Sequence, residues 1–363
     1  MQGCHVMVRP VSTRCHLHCC DGITQHIMDG ATLEAFIRQQ FAAQPTDAVM
    51  SFVWQGEEPT LCGLDFFHRV AALQALYANG RCIENVFQTS GIHLNDAWCR
   101  LFHEQDWQVE ITANAWGDAD CCGKSAHTEV INAIETLRKH RIVFSLHCAV
   151  NNLNSQQPLH LYRYLRALGT PFLQFIPCVE QDADGNLTPA SVSAEAWGHF
   201  LTTVFDCWAR EDIGRVNIQL FESTLSVWRG AASPLCSFDE TCEHILTVDA
   251  DGDVYPCDRD PGTDYRPGHL YQSPIHSLNT DDNAFAFRQR KKNTLSDECR
   301  HCDVLRLCGG DCPQHRFMQH KSALCAGYYR FFSHSAPYMR VMRDLLNQRR
   351  SPMELMAILR ERG

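Results

Sequence analysis

Short apolar runs rich in β-branched and aromatic residues alternate with longer segments of helical periodicity along the first half of the chain. The runs are HVMVR (5–9), VMSFVW (49–54), NVFQ (85–88), WQVEIT (107–112), VFSLHCAV (143–150) and FLQFIPCV (172–179). Between them, apolar residues recur on single helical faces, as in the sets Leu33, Phe36, Ile37, Phe41 and Val130, Ile134, Leu137. This alternation predicts a repeated strand–helix unit.

The predicted strands are continuous apolar runs, which are typical of parallel strands covered on both faces. Six units between residues 5 and 179 are too few for a complete eight-fold barrel. The pattern therefore predicts an α/β fold in which residues 1–232 form a partial (β/α)6 barrel.

The texture changes after Ala231, where cysteines, glycines and turn signals replace the alternation. HILTV (244–248), DADGD (249–253) and VY (254–255) predict a hairpin that turns at Asp251-Gly252. We therefore expect a cysteine-rich domain over residues 233–332. Tyr338, Val341, Met342 and Leu345 stand at helical spacing, so residues 333–363 are expected to form a terminal helical segment.

Charge and composition exclude several classes of partner. The 363 residues carry a formal net charge of −10, so the chain lacks the basic footprint that binding to nucleic acid or to an anionic membrane surface requires. The first fifteen residues, MQGCHVMVRPVSTRC, lack the apolar core of a secretory signal. These observations predict a cytoplasmic protein.

Twenty cysteines are far more than an ordinary cytosolic chain carries. In a reducing compartment such an excess indicates metal ligands or catalysis rather than disulfides. Twelve of them are spread over the first 207 residues, whereas the other eight lie between Cys236 and Cys325. The second group is therefore the stronger candidate for ligands.

The C-terminal cysteines have an irregular, interleaved spacing. They are arranged as Cys299-x2-Cys302-x5-Cys308-x3-Cys312, with Cys325 downstream and Cys236, Cys242 and Cys257 upstream. Eight thiols suffice for two four-cysteine sites. A zinc site of the usual kind needs two Cys-x2-Cys pairs, and the array contains one. The spacing therefore favours iron–sulfur clusters, with zinc and disulfides as alternatives.

This array resembles the SPASM domain of radical S-adenosylmethionine (SAM) enzymes, and the whole chain resembles one branch of them, the anaerobic sulfatase-maturating enzymes. The resemblance lies in CHVMVRP, FVWQGEEPTL, FQTSGIHLNDAWC, QFIPCVE, GDVYPCD, CGGDCPQHRF and LCAGYYRFFSH. It implies one auxiliary [4Fe–4S] cluster on Cys236, Cys242, Cys257 and Cys312. It implies a second on Cys299, Cys302, Cys308 and Cys325.

The resemblance also implies a general base, Asp258, which would remove the proton of the substrate thiol or hydroxyl. A carboxylate beside a cluster suits this role because nearby charge and burial set its protonation. The alternative is that Asp258 caps a turn.

In the family, a Cys-x3-Cys-x2-Cys motif holds the cluster that cleaves SAM to the deoxyadenosyl radical. Cys15 and Cys19 keep the first interval, but Gly22 stands at the third position. Cys20 is the first candidate for the third ligand. Cys4, Cys121 and Cys122 are further candidates, or all of these thiols are remnants.

The residues that contact SAM in the family are matched in part. The Gly-Gly-Glu-Pro motif reads Gly56-Glu57-Glu58-Pro59, so that Glu57 adds a side chain where backbone would approach a ligand. Thr112 stands where the family has a serine, and Val179 matches a position that touches SAM. The arginine that would bind the SAM carboxylate has no match.

The remaining cysteines and His147 are expected to have structural roles rather than to bind a metal. Cys62, Cys82, Cys99, Cys148, Cys178 and Cys207 lie in apolar or helical segments and are expected to be small buried hydrophobes. His147 is expected to be a core histidine.

Two functions remain open from the sequence. The resemblance implies an enzyme that oxidises a Cys or Ser of an unfolded sulfatase segment to Cα-formylglycine, with flavodoxin or ferredoxin as electron donor. All departures from the family motifs fall in the N-terminal part that would bind SAM, and none falls in the SPASM part. The alternative is therefore a diverged iron–sulfur protein that does not cleave SAM and acts in partner binding or electron transfer.

Overall fold

The protein is described here from a computed structural model that covers residues 5–13, 25–113, 126–182, 184–242, 245–258, 268–317 and 320–361. The strands in these ranges are β1 His5–Arg9, β2 Val11–Thr13, β3 Gln25–Ile27, β4 Met50–Trp54, β5 Ile83–Thr89, β6 Gln108–Thr112, β7 Phe144–Val150, β8 Phe172–Pro177, β9 Asn217–Ile218, β10 Ile245–Asp249, β11 Asp253–Tyr255 and β12 Gly268–His269.

The α-helices alternate with the strands in the first half of the chain and dominate the second. They are α1 Gly30–Ala43, α2 Leu64–Tyr77, α3 Asp96–Glu104, α4 Ala126–Lys139, α5 Pro158–Ala167, α6 Ala194–Glu211, α7 Gln219–Trp228, α8 Ile275–Thr280, α9 Asp282–Asn293, α10 Asp297–Arg300, α11 Leu305–Cys308, α12 Cys325–Asn347 and α13 Glu354–Glu361.

The chain divides into two compact units, each built from several sequence segments. The first unit is Met1–Thr112, Ala119–Phe144 and His244–Arg288. The second unit is Ala113–Asp118, Ser145–Glu243 and Gln289–Gly363. The domain boundaries expected from the sequence, at residues 232 and 332, stay a prediction.

The sheet of the first unit has the strand order β12-β11-β10-β1-β4-β5-β6. Neighbours from β10 to β6 are parallel, with Val6 opposite Phe52 and Phe52 opposite Asn85. The order confirms the predicted parallel α/β arrangement. The predicted hairpin, β10 and β11, is also present. Its pairing with β1, where Val6 lies opposite Leu246, is not predicted by the local sequence pattern.

Burial along these strands differs from the expectation that both faces are covered. In β4, Met50, Phe52 and Trp54 are buried, whereas Ser51 and Val53 are half-buried. The strands are therefore packed tightly on one face. The continuous apolar runs gave no sign of this difference, because Val53 is apolar on the less covered face.

Aromatic side chains fill the core between the sheet and the helices of the first unit. The rings of Phe36 and Phe52 meet edge to face with centroids 5.9 Å apart, and those of Trp54 and Phe67 do so at 5.6 Å. Pairs of this kind add about 0.5–1.5 kcal/mol beyond the burial of their surface. The Trp54 indole N–H donates to Asn85 Oδ1 at 2.9 Å, so its buried polar atom is paired.

The second unit contains the parallel strands β7, β8 and β9, together with helices that pack on one another. The helix α12 begins at Cys325, earlier than the predicted terminal segment. Its Met342 and Leu345 are buried as expected, but Val341 is 37% exposed. Among the helices of the described ranges, none is both long and apolar enough to span a membrane.

Two glycines let α6 and α12 approach each other closely. A Cβ on Gly327 would lie 2.4 Å from the carbonyl oxygen of Ala194, and a Cβ on Gly198 would lie 2.8 Å from the Gly327 Cα. Both nearest atoms belong to backbone, which cannot move without separating the helices.

We expect Gly327→Ala to lower the free energy of unfolding by about 1–3 kcal/mol, because overpacking outweighs the better helix propensity of alanine. Chemical denaturation of the whole chain measures this, with Ala326→Ser at the adjacent exposed position as control. Unchanged or increased stability in Gly327→Ala would contradict the close approach of the helices.

Candidate active site and iron–sulfur ligands

The loop after β4 carries the Gly56-Glu57-Glu58-Pro59 motif in the first unit. Gly56 has φ +119°, a conformation that side chains rarely adopt, and a Cβ there would lie 3.3 Å from the Arg9 Cβ. Glu57, which replaces the second glycine of the family motif, is exposed. The loop continues into a short 3₁₀ helix, Pro59–Cys62, that Glu58 caps.

Glu58 is buried and its carboxylate is fully engaged. Its Oε1 accepts hydrogen bonds from the Thr60 N–H and hydroxyl, at 3.3 and 2.7 Å, and from the Thr89 hydroxyl at 2.6 Å. Its Oε2 accepts from the Ser90 N–H at 2.9 Å and from the Ser90 hydroxyl. The carboxylate therefore ties the loop after β4 to the end of β5.

Thr89 and Ser90 were not among the residues singled out from the sequence. Both lie in the stretch FQTSG, which contributed to the family resemblance without a role being given to any of its residues. A buried glutamate followed by hydroxyl residues at the next strand end would have been the signal, since the carboxyl ends of parallel strands meet at one edge of a sheet.

The remaining predicted SAM-contact residues lie at strand ends. Thr112 is the last residue of β6 and is half-buried. Val179, in the second unit, is half-buried and follows β8 by two residues. The predicted N-terminal ligands Cys15, Cys19 and Cys20, and the further candidates Cys4, Cys121 and Cys122, lie outside the described residues.

Asp258, the candidate general base, follows the hairpin strand β11. The Arg9 guanidinium donates a hydrogen bond to the backbone carbonyl of Asp258. This contact does not involve the carboxyl group of Asp258. Arg9 lies opposite Asp249 in the pairing of β1 with β10. Burial raises the pKa of Asp249, and Arg9 acts against this rise. Cys257, the residue before Asp258, is half-buried, and its Sγ lies 3.6 Å from Asp258 Oδ1.

Three candidate ligands of the first auxiliary cluster belong to the second unit. Cys242 and Cys312 are buried, and Cys236 begins a short 3₁₀ helix, Cys236–Phe238. A hydrogen bond with the Cys236 thiol and burial raise the pKa of Cys242, and Cys312 adds to this effect. Lys291 is fully buried and donates through Nζ to the carbonyl oxygen of Cys236. Its position among these thiols was not predicted.

The four candidate ligands of the second auxiliary cluster all lie in the second unit, around α10, α11 and the first residue of α12. The Ser296 hydroxyl accepts from the Cys299 N–H at 3.2 Å and so fixes the start of α10. Burial raises the pKa of the Cys308 thiol to about 12, and the nearby thiols of Cys325 and Cys299 add to the rise. Burial likewise raises the pKa of Cys325, with contributions from Cys299 and Cys302.

The chemistry of this donor set fits an iron–sulfur cluster. Cys299 is buried, and Cys302, Cys308 and Cys325 are half-buried. These four thiols lie near one another, with the buried guanidinium of Arg316 beside Cys299 and Cys308, and thiolates are the ligands that such clusters take. In the described parts of the chain, no three His, Cys, Asp or Glu side chains are arranged to hold a single metal ion.

The cysteines assigned a structural role agree with that role, with one exception. Cys99, Cys148 and Cys207 are buried, and Cys62 and Cys178 are half-buried. Cys82 is exposed, contrary to expectation, because it lies in the turn that precedes β5. His147 is buried in β7, as predicted.

Comparison with known proteins agrees with this distribution of cysteines. Residues 236–303 match the family model of the SPASM iron–sulfur cluster-binding domain. Among solved structures, native anSMEcpe with bound AdoMet and Cp18Cys peptide superposes with a TM-score of 0.84 at 25% identity, covering 94% of this chain and 99% of that one.

Curated relatives match over almost their whole length. The serine-type anaerobic sulfatase-maturating enzyme of Bacteroides thetaiotaomicron is 32% identical over 98% of this chain and 95% of its own. The serine-type enzyme of Klebsiella pneumoniae is 34% identical over 94% of this chain and 90% of its own. The cysteine-type enzyme of Clostridium perfringens is 27% identical over 92% and 96%. The identity, its extent and the SPASM match over residues 236–303 together show that this chain belongs to the family of anaerobic sulfatase-maturating enzymes.

Proposed function

We propose that this protein oxidises a serine of an unfolded sulfatase segment to Cα-formylglycine by radical SAM chemistry. The observation that carries the proposal is that hydrogen bonds position two candidate groups in the first unit. Glu58 binds Thr60 and Ser90 and so fixes the loop after β4, and Arg9 binds the backbone carbonyl of Asp258. Serine rather than cysteine is proposed because the two serine-type relatives named above are 32% and 34% identical, against 27% for the cysteine-type relative.

The cofactors would be SAM and [4Fe–4S] clusters. The family resemblance assigns one auxiliary cluster to Cys236, Cys242, Cys257 and Cys312. It assigns the other to Cys299, Cys302, Cys308 and Cys325. When bound, the N-terminal cluster and SAM supply the group that removes one hydrogen atom from the substrate Cβ. Cys15, Cys19 and a third ligand, with Cys20 as the candidate, would hold that cluster.

The side chains of this protein account for the remaining steps. Converting CH₂OH to CHO removes two hydrogens, so after loss of the Cβ hydrogen atom one proton and one electron still have to leave. Asp258 would take the hydroxyl proton, and an auxiliary cluster, when bound, would accept the electron. Gly56 and Glu57 would present backbone to the SAM amino group, Thr112 and Val179 would line the cofactor, and Glu58 holds the loop.

The partners would be a sulfatase peptide and a reducing protein such as flavodoxin or ferredoxin, and the reaction would take place in the cytoplasm. These assignments rest on the peptide-bound relative and on the need of radical SAM chemistry for an external electron.

A second candidate function is favoured by Gly22 at the position of the third ligand and by Glu57 in the glycine-rich loop. A chain that lacks the N-terminal cluster would keep two auxiliary clusters and act in partner binding or electron transfer without cleaving SAM.

One experiment separates the two functions. The whole chain is reconstituted anaerobically, its iron is counted, and it is reduced with SAM and two sulfatase peptides that differ only in Ser or Cys at the target position. The proposed enzyme should bind about twelve irons, at four per cluster, release 5′-deoxyadenosine and lower the mass of the Ser peptide by two hydrogens. About eight irons without 5′-deoxyadenosine would reject the enzyme and support the second function.

A further inference from the structure

Arg316 is a buried arginine whose guanidinium, within the part of the chain that the structure describes, donates its hydrogen bonds to backbone carbonyls. It is 7% exposed, and its Nε donates to the Gly310 carbonyl at 2.7 Å and its Nη1 to the Lys291 carbonyl at 2.6 Å. Its Nη2 donates to the carbonyls of Gly309 and Asp311, at 3.2 and 2.8 Å. Three of the four acceptors are consecutive residues. They form the complete link between Cys308 and Cys312, which the resemblance assigns to different auxiliary clusters.

This link has an unusual backbone that only its sequence allows. Gly309, Gly310 and Asp311 have φ values of 55°, 76° and 60°. A Cβ on Gly309 would lie 2.5 Å from the Phe238 carbonyl oxygen, and one on Gly310 would lie 2.4 Å from Leu295 Cδ2. Of the three amides in the link, the Gly309 N–H donates to the Leu305 carbonyl at 2.7 Å and the Asp311 N–H to the Cys308 carbonyl at 2.9 Å. The carbonyls face Arg316, and the Gly310 N–H bonds to the Cys308 thiol.

The charged and ionisable groups around Arg316 are candidate cluster ligands or neighbours of those ligands. Burial lowers the pKa of Arg316, whereas the Asp311 carboxyl and the thiols of Cys299, Cys308 and Cys312 raise it. Asp311 is fully buried, and its Oδ2 accepts from His315 Nδ1 at 2.9 Å and from the Ser322 hydroxyl at 2.7 Å. The guanidinium therefore lies among candidate ligands, away from solvent that would screen its charge.

We propose that Arg316 is a positioning residue that raises the reduction potential of the auxiliary cluster on Cys299, Cys302, Cys308 and Cys325. The proposal rests on the iron–sulfur ligation proposed above. A cluster gains one negative charge when it accepts an electron. A nearby buried cation and N–H groups turned toward the sulfurs both stabilise that reduced form. Arg316 supplies the cation directly, and through the three carbonyls that it holds it fixes the Gly310 N–H at the Cys308 thiol.

The test is a redox titration of the reconstituted whole chain, without SAM or peptide, followed by electron paramagnetic resonance of the auxiliary clusters. Arg316→Met keeps the aliphatic stem and removes the charge and all donors. We expect it to lower the ratio of reduced to oxidised cluster at a given potential at least tenfold, which is 59 mV for a one-electron couple. Arg316→Lys keeps the charge and should recover at least half of that shift. The exposed Arg306, two residues before Cys308, provides the control Arg306→Met, which should titrate like the wild type.

Several outcomes would overturn the proposal. A potential in Arg316→Met equal to that of the wild type would show that the residue does not tune the cluster. If Arg316→Met takes up no iron, Arg316→Lys decides: a loaded cluster with a smaller downward shift supports the proposal, and failure of both variants to take up iron reduces Arg316 to a folding role. Because the measurement needs no SAM cleavage, a wild type that loads its auxiliary clusters but makes no formylglycine would reject the proposed enzyme and leave this inference standing.

Discussion

Asp258→Asn should lower the rate of formylglycine formation by about 10²–10⁴-fold, the range that a general base contributes. The amide keeps the shape of the side chain and cannot accept the hydroxyl proton of the substrate. The backbone carbonyl of Asp258, which Arg9 binds, is unaffected by the change. Release of 5′-deoxyadenosine should persist in the variant, because the base acts after the hydrogen atom has been removed.

The measurement is the mass of a serine-containing sulfatase peptide and the amount of 5′-deoxyadenosine from the same reactions. Asp282→Asn, at an exposed position in α9, is the matched control. Formylglycine formation at the wild-type rate in Asp258→Asn would leave Asp258 only the role of a turn residue. Loss of 5′-deoxyadenosine along with the product would place the defect in the SAM site instead.

Glu58→Gln should weaken SAM binding at least tenfold and lower the free energy of unfolding by about 2 kcal/mol. The two carboxylate oxygens accept five hydrogen bonds from Thr60, Thr89 and Ser90. An amide has only one oxygen, so its NH₂ group would face donors on one side of the network. Burial makes the unpaired donors costly, and the loop that would present backbone to SAM is no longer fixed.

Equilibrium dialysis with labelled SAM measures the affinity of the reconstituted chain, and denaturation measures its stability. Glu84→Gln, an exposed substitution of the same chemistry in β5, serves as control. Ser90→Ala should give a smaller loss of affinity, because it removes the hydroxyl donor and keeps the Ser90 N–H. If Glu58→Gln bound SAM as tightly as the wild type, the network would be irrelevant to the cofactor.

Local sequence patterns were sufficient to predict the parallel strands and the hairpin, since each depends on the periodicity of neighbouring residues. β1 and β4 match the predicted runs to within one residue. The pairing of β10 with β1 is beyond such patterns, because it joins segments about 240 residues apart. The strands β9 and β12 have two residues each, which is too short to show an alternation of apolar and polar positions in the sequence.

The sequence names candidate site residues where spacing or resemblance marks them, as at Cys299, Cys302 and Asp258, and the roles of these residues stay a prediction. The residues that hold those groups in place were missed. Arg9, Ser90 and Arg316 act through backbone carbonyls or a distant carboxylate, and no local pattern marks an arginine that binds carbonyls. Burial of Arg316 in particular could not be read from a sequence in which most arginines are exposed.

The parallel pairing of β10 with β1 has a consequence for synthesis of the chain. Until residues 245–249 have left the ribosome, the outer edge of β1 has no partner from β10, and its backbone N–H and C=O groups are open to other strands. A polypeptide truncated before β10 would keep that edge permanently. Strand β10 thus covers the edge of β1, and mutations that delay the pairing of residues 245–249 with β1 should reduce yield before they affect chemistry.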